Sequence, residues 1–419
     1  MFFIDAAMVG FLGAQASASI GIVETTTWLF GSLTSAASMG FAVQVAQSIG
    51  ANDFVKARRI VRTGLVTVLC FTLCICMLAV IIHPYLPLWL GGGADIAHDA
   101  SLYFLIFSLS IPFFQIANFS TNMLKCSGDM RTPSVLNISM CVLDVVFNYI
   151  FIYLFRLGVP GAALGSAVSI FITSLLLAYF ALWRSPMLSL RMEKGSWKPD
   201  FSFLKRAFKI SAPMALQYCL MNTAQMVSTI IVAPLGNFAI AANNFAITAE
   251  ALCYMPGYGI ADAATTLVGQ SVGARRLDLT RSFAYRAVGL GVGVMAFMGL
   301  VMYVLAPELM ALMTPVQEII QLGTEALRIE AFAEPMFGAA IICNACMIGA
   351  GDTLIPACMN LGTMWGIRIT LSYYLAPLWG LAGAWTGMAV ELTIRGIIFL
   401  IRLFSGAWLK YGRMKKPLT

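Results

Sequence analysis

Gln47-Ser48-Ile49-Gly50-Ala51 returns 223 residues later as Gln270-Ser271-Val272-Gly273-Ala274 (270 − 47 = 223). The same offset carries Pro112-Phe113-Phe114 to Pro335-Met336-Phe337, and Gly128-Asp129, Pro133 and Asn137 to Gly351-Asp352, Pro356 and Asn360. Farther on, Gly161-Ala162-Ala163-Leu164-Gly165 meets Gly383-Ala384-Trp385-Thr386-Gly387 at 222, a drift that one deletion in a loop would explain. Chance matches do not hold register through separated segments, so one unit is written twice. In the second copy an apolar stretch, Phe203 to Asn222, precedes Ser228, which matches Asp5; in the first copy only Met1 to Ile4 precede Asp5. The chain is therefore expected to open part-way through its first helix, with about 20 residues of a span missing. The natural chain is expected to start upstream of Met1, or else this form to be functionally impaired.

Apolar residues make up 60% of the chain and charged ones only 11%, against about 25% charged in soluble domains. Stretches long enough to cross a bilayer, about 20 apolar residues each, recur at roughly 18–46, 60–82, 101–123, 133–155, 160–183, 207–233, 237–270, 283–305, 325–349, 355–377 and 380–403. With the partial stretch before Gly10 they make twelve. A soluble helical protein is excluded because nearly every helix would be apolar around its whole circumference. The expected fold is an all-α polytopic membrane protein of twelve transmembrane helices, the first truncated. They form two parallel six-helix repeats related by a pseudo-two-fold axis along the membrane normal, because an even number of spans returns the chain to its starting side. The expected division is an N-terminal lobe over 1–184, a linker over 185–202 and a C-terminal lobe over 203–419, the lobes meeting at a central cleft.

Of the 26 basic residues, 22 fall on one side: Lys56 to Arg62, Lys125 and Arg131, seven between Arg184 and Lys209, Arg275 to Arg286, and five from Arg402 to Lys416. The positive-inside rule makes that side the cytoplasm. The +7 net charge is thereby a topology signal, and no separate basic patch remains for a nucleic acid. Most of the ten cysteines lie inside apolar spans, as Cys70, Cys74 and Cys76 do, and read as reduced packing residues. An intramembrane enzyme would need a clustered Asp-rich or His-bearing site. Only His83 and His98 are present, in one outer region, and there is no Walker sequence, so no enzyme and no bound cofactor are expected and transport draws on an ion gradient.

Charge inside hydrocarbon is costly, so each embedded ion is a candidate site. Asn137, Cys141, Asp144 and Asn148 are spaced three and four apart along one face of the fifth span. An acid with an amide one turn away can bind a bare cation or a proton, or serve as hydrogen-bonding glue between helices. Asp5 has no acidic counterpart in the second copy, and Arg368 falls within one residue of the place matching Asp144. Glu24 and Glu250 come within one turn of each other once the offset is applied (24 + 223 = 247), and read either as substrate contacts or as a buried pairing. Glu334 precedes Pro335 in the tenth span, and Glu330 is placed to pair with Arg328 near the outer surface. Asp262, Glu391 and Arg395 fit structural ion pairs. Gly161/Gly165 and Gly383/Gly387 allow close helix packing. Trp28, Tyr254, Tyr258, Trp365 and Tyr373 either line a path for flat or cationic substrates or anchor and pack the helices.

Asp5-Ala6-Ala7-Met8-Val9-Gly10, Val45-Ala46-Gln47-Ser48-Ile49-Gly50-Ala51 with Ala57-Arg58-Arg59, Leu267-Val268-Gly269-Gln270, and Gly349-Ala350-Gly351-Asp352-Thr353 together resemble the multidrug and toxic compound extrusion (MATE) family over essentially the whole chain. The resemblance implies antiport in which Na⁺ or H⁺ enters as an organic cation leaves, by alternating access. It places cation coupling on Asp5, Asp144 and Asn148, with Asp5 and Asp144 holding Na⁺ if sodium is the coupling ion. Some relatives read Asn then Asp where this chain has Asp144 then Asn148, so the acid is displaced by one turn. Some branches carry an acid on the seventh helix, where this chain has Met221 and Asn222; an ion site of that kind is not expected in the second lobe. Glu24, Glu250, Glu334, Arg368 and Asn137 are the candidates for the substrate path. A monomer in the bacterial inner membrane is expected, with small-molecule substrates and the lipid bilayer as its partners. The rival reading is a flippase for lipids or lipid-linked sugars, which the wider superfamily includes. It predicts tolerance to loss of Asp5.

Overall fold

A computed structural model describes residues 8–9, 14–90, 93–192, 195 and 197–410. Among them there are helices, turns and no strand. The second to fourth spans are Ala14–Gly50, Phe54–Ile82 and Ala94–Cys126. The fifth is Arg131–Tyr149 and the sixth Val159–Tyr179, each closed by a π-helical turn, Ile150–Leu154 and Phe180–Arg184. The seventh to ninth are Phe201–Val232, Asn237–Gly273 and Leu277–Met313. Each of the eleven stretches expected after the first is helical.

At 37 residues the eighth span is about 55 Å long at 1.5 Å per residue, well beyond the roughly 30 Å of hydrocarbon. Such helices end in water, which is where Arg275 and Arg276 follow. Seven of the described helices are long and apolar enough to cross a membrane, or eight if a bent pair counts as one span. Large apolar side chains face outward along them, Ile81 at 68%, Leu154 at 70% and Leu312 at 85% exposure. In water such a surface would be an aggregation hazard; against lipid it is the stable one.

The tenth stretch is not one helix. It divides into Gln317–Ala331 and Glu334–Ala350, bent by 58°. Pro335 fits the break: it has no N–H to donate to the preceding turn, and it stands in the first turn of the new helix, where that N–H would have no partner in any case. The eleventh span runs Leu354–Thr363, passes through a six-residue π turn, Met364–Ile369, and continues into Thr370–Ser405. Gly380, at φ 62° and ψ −141°, interrupts that last stretch and separates the eleventh span from the twelfth.

Two compact units divide the chain, Met1–Ala215 and Leu216–Thr419. The boundary falls inside the seventh span because its first turns belong to the first unit's core. Gln44 Nε2 donates to the Phe203 carbonyl at 3.1 Å, Arg206 bonds Gln47 Oε1, and Ala207 is buried beside Phe41 and Val45. Each unit holds two apolar clusters, one toward each end of its helices. In the first these centre on Ile20, Phe104 and Ile111 and on Val61, Phe119 and Met123. In the second they centre on Ala242, Met302 and Trp385 and on Val268, Ile342 and Phe399.

The repeat is visible in the backbone itself. Positive φ angles recur at matched positions: Asn52 at 57° with Arg275 at 58° (275 − 52 = 223), Gly128 at 88° with Gly351 at 90° (351 − 128 = 223), and Gly158 at 63° with Gly380 at 62° (380 − 158 = 222). An unusual conformation kept even where the side chain is Asn in one copy and Arg in the other marks a shared backbone path.

Candidate functional site

In the first unit the site is built by the fifth and sixth spans. Asp144 and Asn148, one turn apart, are both fully buried, whereas Asn137 and Cys141 on the same stripe are half-buried. Ser166 Oγ donates to Asp144 Oδ1 at 2.7 Å. Among the described residues Asp144 Oδ2 has no hydrogen-bond partner. Asp5 lies outside the described residues.

The sixth span reaches Asn148 because position 165 has no side chain. A Cβ on Gly165 would stand 2.0 Å from Asn148 Oδ1 and 2.8 Å from its backbone nitrogen. Gly165→Ala should therefore push the two spans apart, cost about 1–3 kcal/mol as an overpacking change, and displace Ser166 from Asp144. The loss is read as a lower thermal midpoint in detergent. An unchanged midpoint would mean that the contact is loose.

The same joint in the second unit carries different chemistry. A Cβ on Gly387 would stand 2.8 Å from both the nitrogen and Oγ of Ser372. Gly387 matches Gly165 at 222, so Ser372 stands where Asn148 does, at an offset of 224 (372 − 148 = 224). Asp144 then matches Arg368 (368 − 144 = 224), and Ser166 matches Met388 (388 − 166 = 222). The contacts agree: Ser166 holds Asp144, and Arg368 Nη2 points at Met388 Sδ. The rise from 223 to 224 falls within the π turn Met364–Ile369, since such a turn is one extra residue absorbed by a helix. The π turn Ile150–Leu154 of the first copy and the connection after it bring the offset back to 222. A single loop deletion does not describe the drift.

Arg368 lines a cleft with about 30 Å³ of free space between Gln225, Ser228 and Thr229 of the seventh span, Asn243 of the eighth, and Ser372, Trp385 and Met388. Ser228, the position matching Asp5, and Arg368, the position matching Asp144, thus share one cleft. Trp385 Nε1 donates to Asn243 Oδ1 at 2.9 Å, and Ser228 Oγ is buried with no partner among the described residues.

Glu250 is buried and Glu24 is exposed, where it accepts from Trp28 Nε1 at 3.3 Å. Glu330 and Glu334 flank the break in the tenth span and are fully buried. None of their four carboxylate oxygens has a hydrogen-bond partner among the described residues. The expected pairing of Glu330 with Arg328 does not form, because Arg328 donates to the Tyr303 carbonyl and stacks over its ring. Glu391 and Arg395 do form the buried ion pair expected of them, with Arg395 Nε also donating to Thr363 Oγ1 at 3.2 Å. Asp262 is exposed. The sequence carries no signal for Ser166 beyond its place after Gly165, and Glu330, expected near the outer surface, is buried.

A doubled bundle of apolar helices with buried acids and arginines inside it is the architecture of a membrane transport protein. The MatE family profile matches residues 1–150 and 213–374. The chain is 25% identical over 413 residues to the probable multidrug resistance protein NorM of Thermotoga maritima, covering 97% of this chain and 88% of that one. It is 21% identical over 409 residues to the probable multidrug resistance protein YoeA of Bacillus subtilis, covering 95% and 88%. Among solved structures it is similar to the Vibrio cholerae MATE transporter VcmN in its bent form, with a TM-score of 0.89 at 19% identity over 98% of this chain and 93% of that one. It is also similar to a transporter of the MOP superfamily from Pyrococcus furiosus, with a TM-score of 0.88 at 20% identity over 98% and 90%. This chain belongs to the MATE family of efflux transporters and is an integral membrane protein.

Proposed function

We propose that this protein is a secondary active multidrug exporter that exchanges Na⁺ or H⁺ for organic, cationic compounds by alternating access. It works as a monomer in the bacterial inner membrane with its basic loops and linker cytoplasmic. The observation that carries the reading is Asp144: fully buried, held on one oxygen by Ser166, with the other oxygen unpartnered. A carboxylate in that setting calls for a positive charge or a proton to neutralise it. An oxygen donor set of a carboxylate and an amide, Asp144 and Asn148, suits a small hard cation such as Na⁺.

Asp5 is proposed as the second coupling acid. Support comes from the second unit, where the matching residues Ser228 and Arg368 line one cleft. Exchange follows if ion and substrate exclude each other at these acids, so that the gradient drives substrate out. Among the acids of the path, Glu250 and Glu334 are buried and Glu24 is exposed.

Reconstituted vesicles loaded with a cationic dye and given separate Na⁺ and H⁺ gradients test the reading. One of the two gradients should drive efflux, and Asp5→Asn should abolish the drive. Efflux that ignores both gradients, or that survives Asp5→Asn, would overturn the assignment. Lipid scrambling in the same vesicles without dye efflux would favour a flippase.

A further inference from the structure

We propose that the cleft around Arg368 in the second unit binds an anionic group, a carboxylate by preference, on the transported compound. The proposal rests on the efflux reading and narrows its substrate class to zwitterions, organic cations that also carry an acidic head.

Three observations carry it. First, Arg368 has no carboxylate close enough for an ion pair among the described residues; within hydrogen-bonding reach it meets the thioethers of Met364 and Met388. Thioethers are weak acceptors, so a guanidinium with five N–H donors is left with most of its capacity unused. Glu250, Glu330 and Glu391 lie within electrostatic reach, but Glu391 is already bonded to Arg395. Second, the remaining lining is suited to an anion. Ser228 Oγ is buried and unpartnered, and Asn243 spends its carbonyl oxygen on Trp385, which leaves its amide hydrogens to donate. Third, the free space is about 30 Å³, where a single buried water needs about 10–15 Å³. The cleft therefore admits a carboxylate or two waters and not a whole drug-sized molecule.

The matched place in the first unit makes the contrast chemical. There an acid sits beside a serine hydroxyl, and here an arginine sits beside a methionine. Carboxylate recognition by arginine is bidentate and charge-assisted, which gives such a site strong discrimination against a ligand whose charge has been masked.

The test compares a carboxylate-bearing xanthene dye with its methyl ester on the detergent-solubilised protein, by fluorescence anisotropy. The acid should bind at least about tenfold more tightly than the ester. Arg368→Gln should remove that difference by weakening the acid alone, and Arg368→Lys should restore part of it. Equal affinities for acid and ester in the unaltered protein would overturn the proposal, as would discrimination that survives Arg368→Gln or an equal loss for both dyes. Because the first comparison needs no variant, a misfolded Arg368→Gln leaves the proposal open to refutation. Binding is read without a gradient, so failure of ion-driven efflux in vesicles is a separate result.

Discussion

Vesicles carrying Asp144→Asn should accumulate no dye gradient when an ion gradient is imposed. With 100 mV and a tenfold concentration difference, one coupled charge supplies about 2.3 plus 1.4 kcal/mol. That sets a ceiling on the order of 500-fold on the concentration ratio of a neutral substrate. The substitution is isosteric, and Ser166 Oγ, now 2.7 Å from Asp144 Oδ1, can still donate to an amide oxygen. Folding should therefore be kept while the charge that attracts the coupling ion is gone, and the ratio should fall toward unity. Ser166→Ala keeps the charge and should lower the rate only a few-fold, the scale of one hydrogen bond worth about 1 kcal/mol. Full gradient-driven efflux in Asp144→Asn, with normal reconstitution, would remove Asp144 from the coupling site.

Arg395→Ala should destabilise the protein by about 3–5 kcal/mol, the range seen when one partner of a buried ion pair is removed. Glu391 is completely buried, and among the described residues its only bonded cation is Arg395. Truncation strands that carboxylate among the eleventh and twelfth spans and also releases Thr363 Oγ1. Glu391→Leu combined with Arg395→Met should recover most of the loss, since an apolar pair of similar volume replaces both charges. Thermal unfolding in detergent measures both. If Arg395→Ala melted like the parent protein, the pair would be contributing no more than an exposed surface bridge.

Much of the fold was legible because the bilayer leaves few choices: apolar runs become helices, and basic loops mark a side. The repeat added a ruler, and the positive φ angles at Asn52 and Arg275, Gly128 and Gly351, and Gly158 and Gly380 fall where it says they should. The candidate site was legible only where it depends on one helix. Asp144 and Asn148 share a face by spacing alone, and both are buried. Ser166 comes from another span, and nothing local to it points at Asp144. Arg328 and Glu330 are two residues apart on one helix, a spacing that sends them to different sides of it, and the guanidinium turns to Tyr303 while Glu330 is buried. Ser372 could not be matched to Asn148 while the offset was held at 223, because the π turn changes the count without changing the composition.

That π turn has a consequence for how the two halves could have diverged. Each residue of an α-helix turns the chain by about 100°, so one residue added to a regular helix would re-aim every side chain that follows; the wide turn Met364–Ile369 absorbs it instead, and Ser372 keeps against Gly387 the place that Asn148 has against Gly165. Writing an aspartate at position 368 would not by itself recreate the first unit's acid, because Met388 stands where Ser166 donates. A deletion inside that turn is the change that would put the two halves out of step, because the side chains beyond it already stand where those of the first unit do.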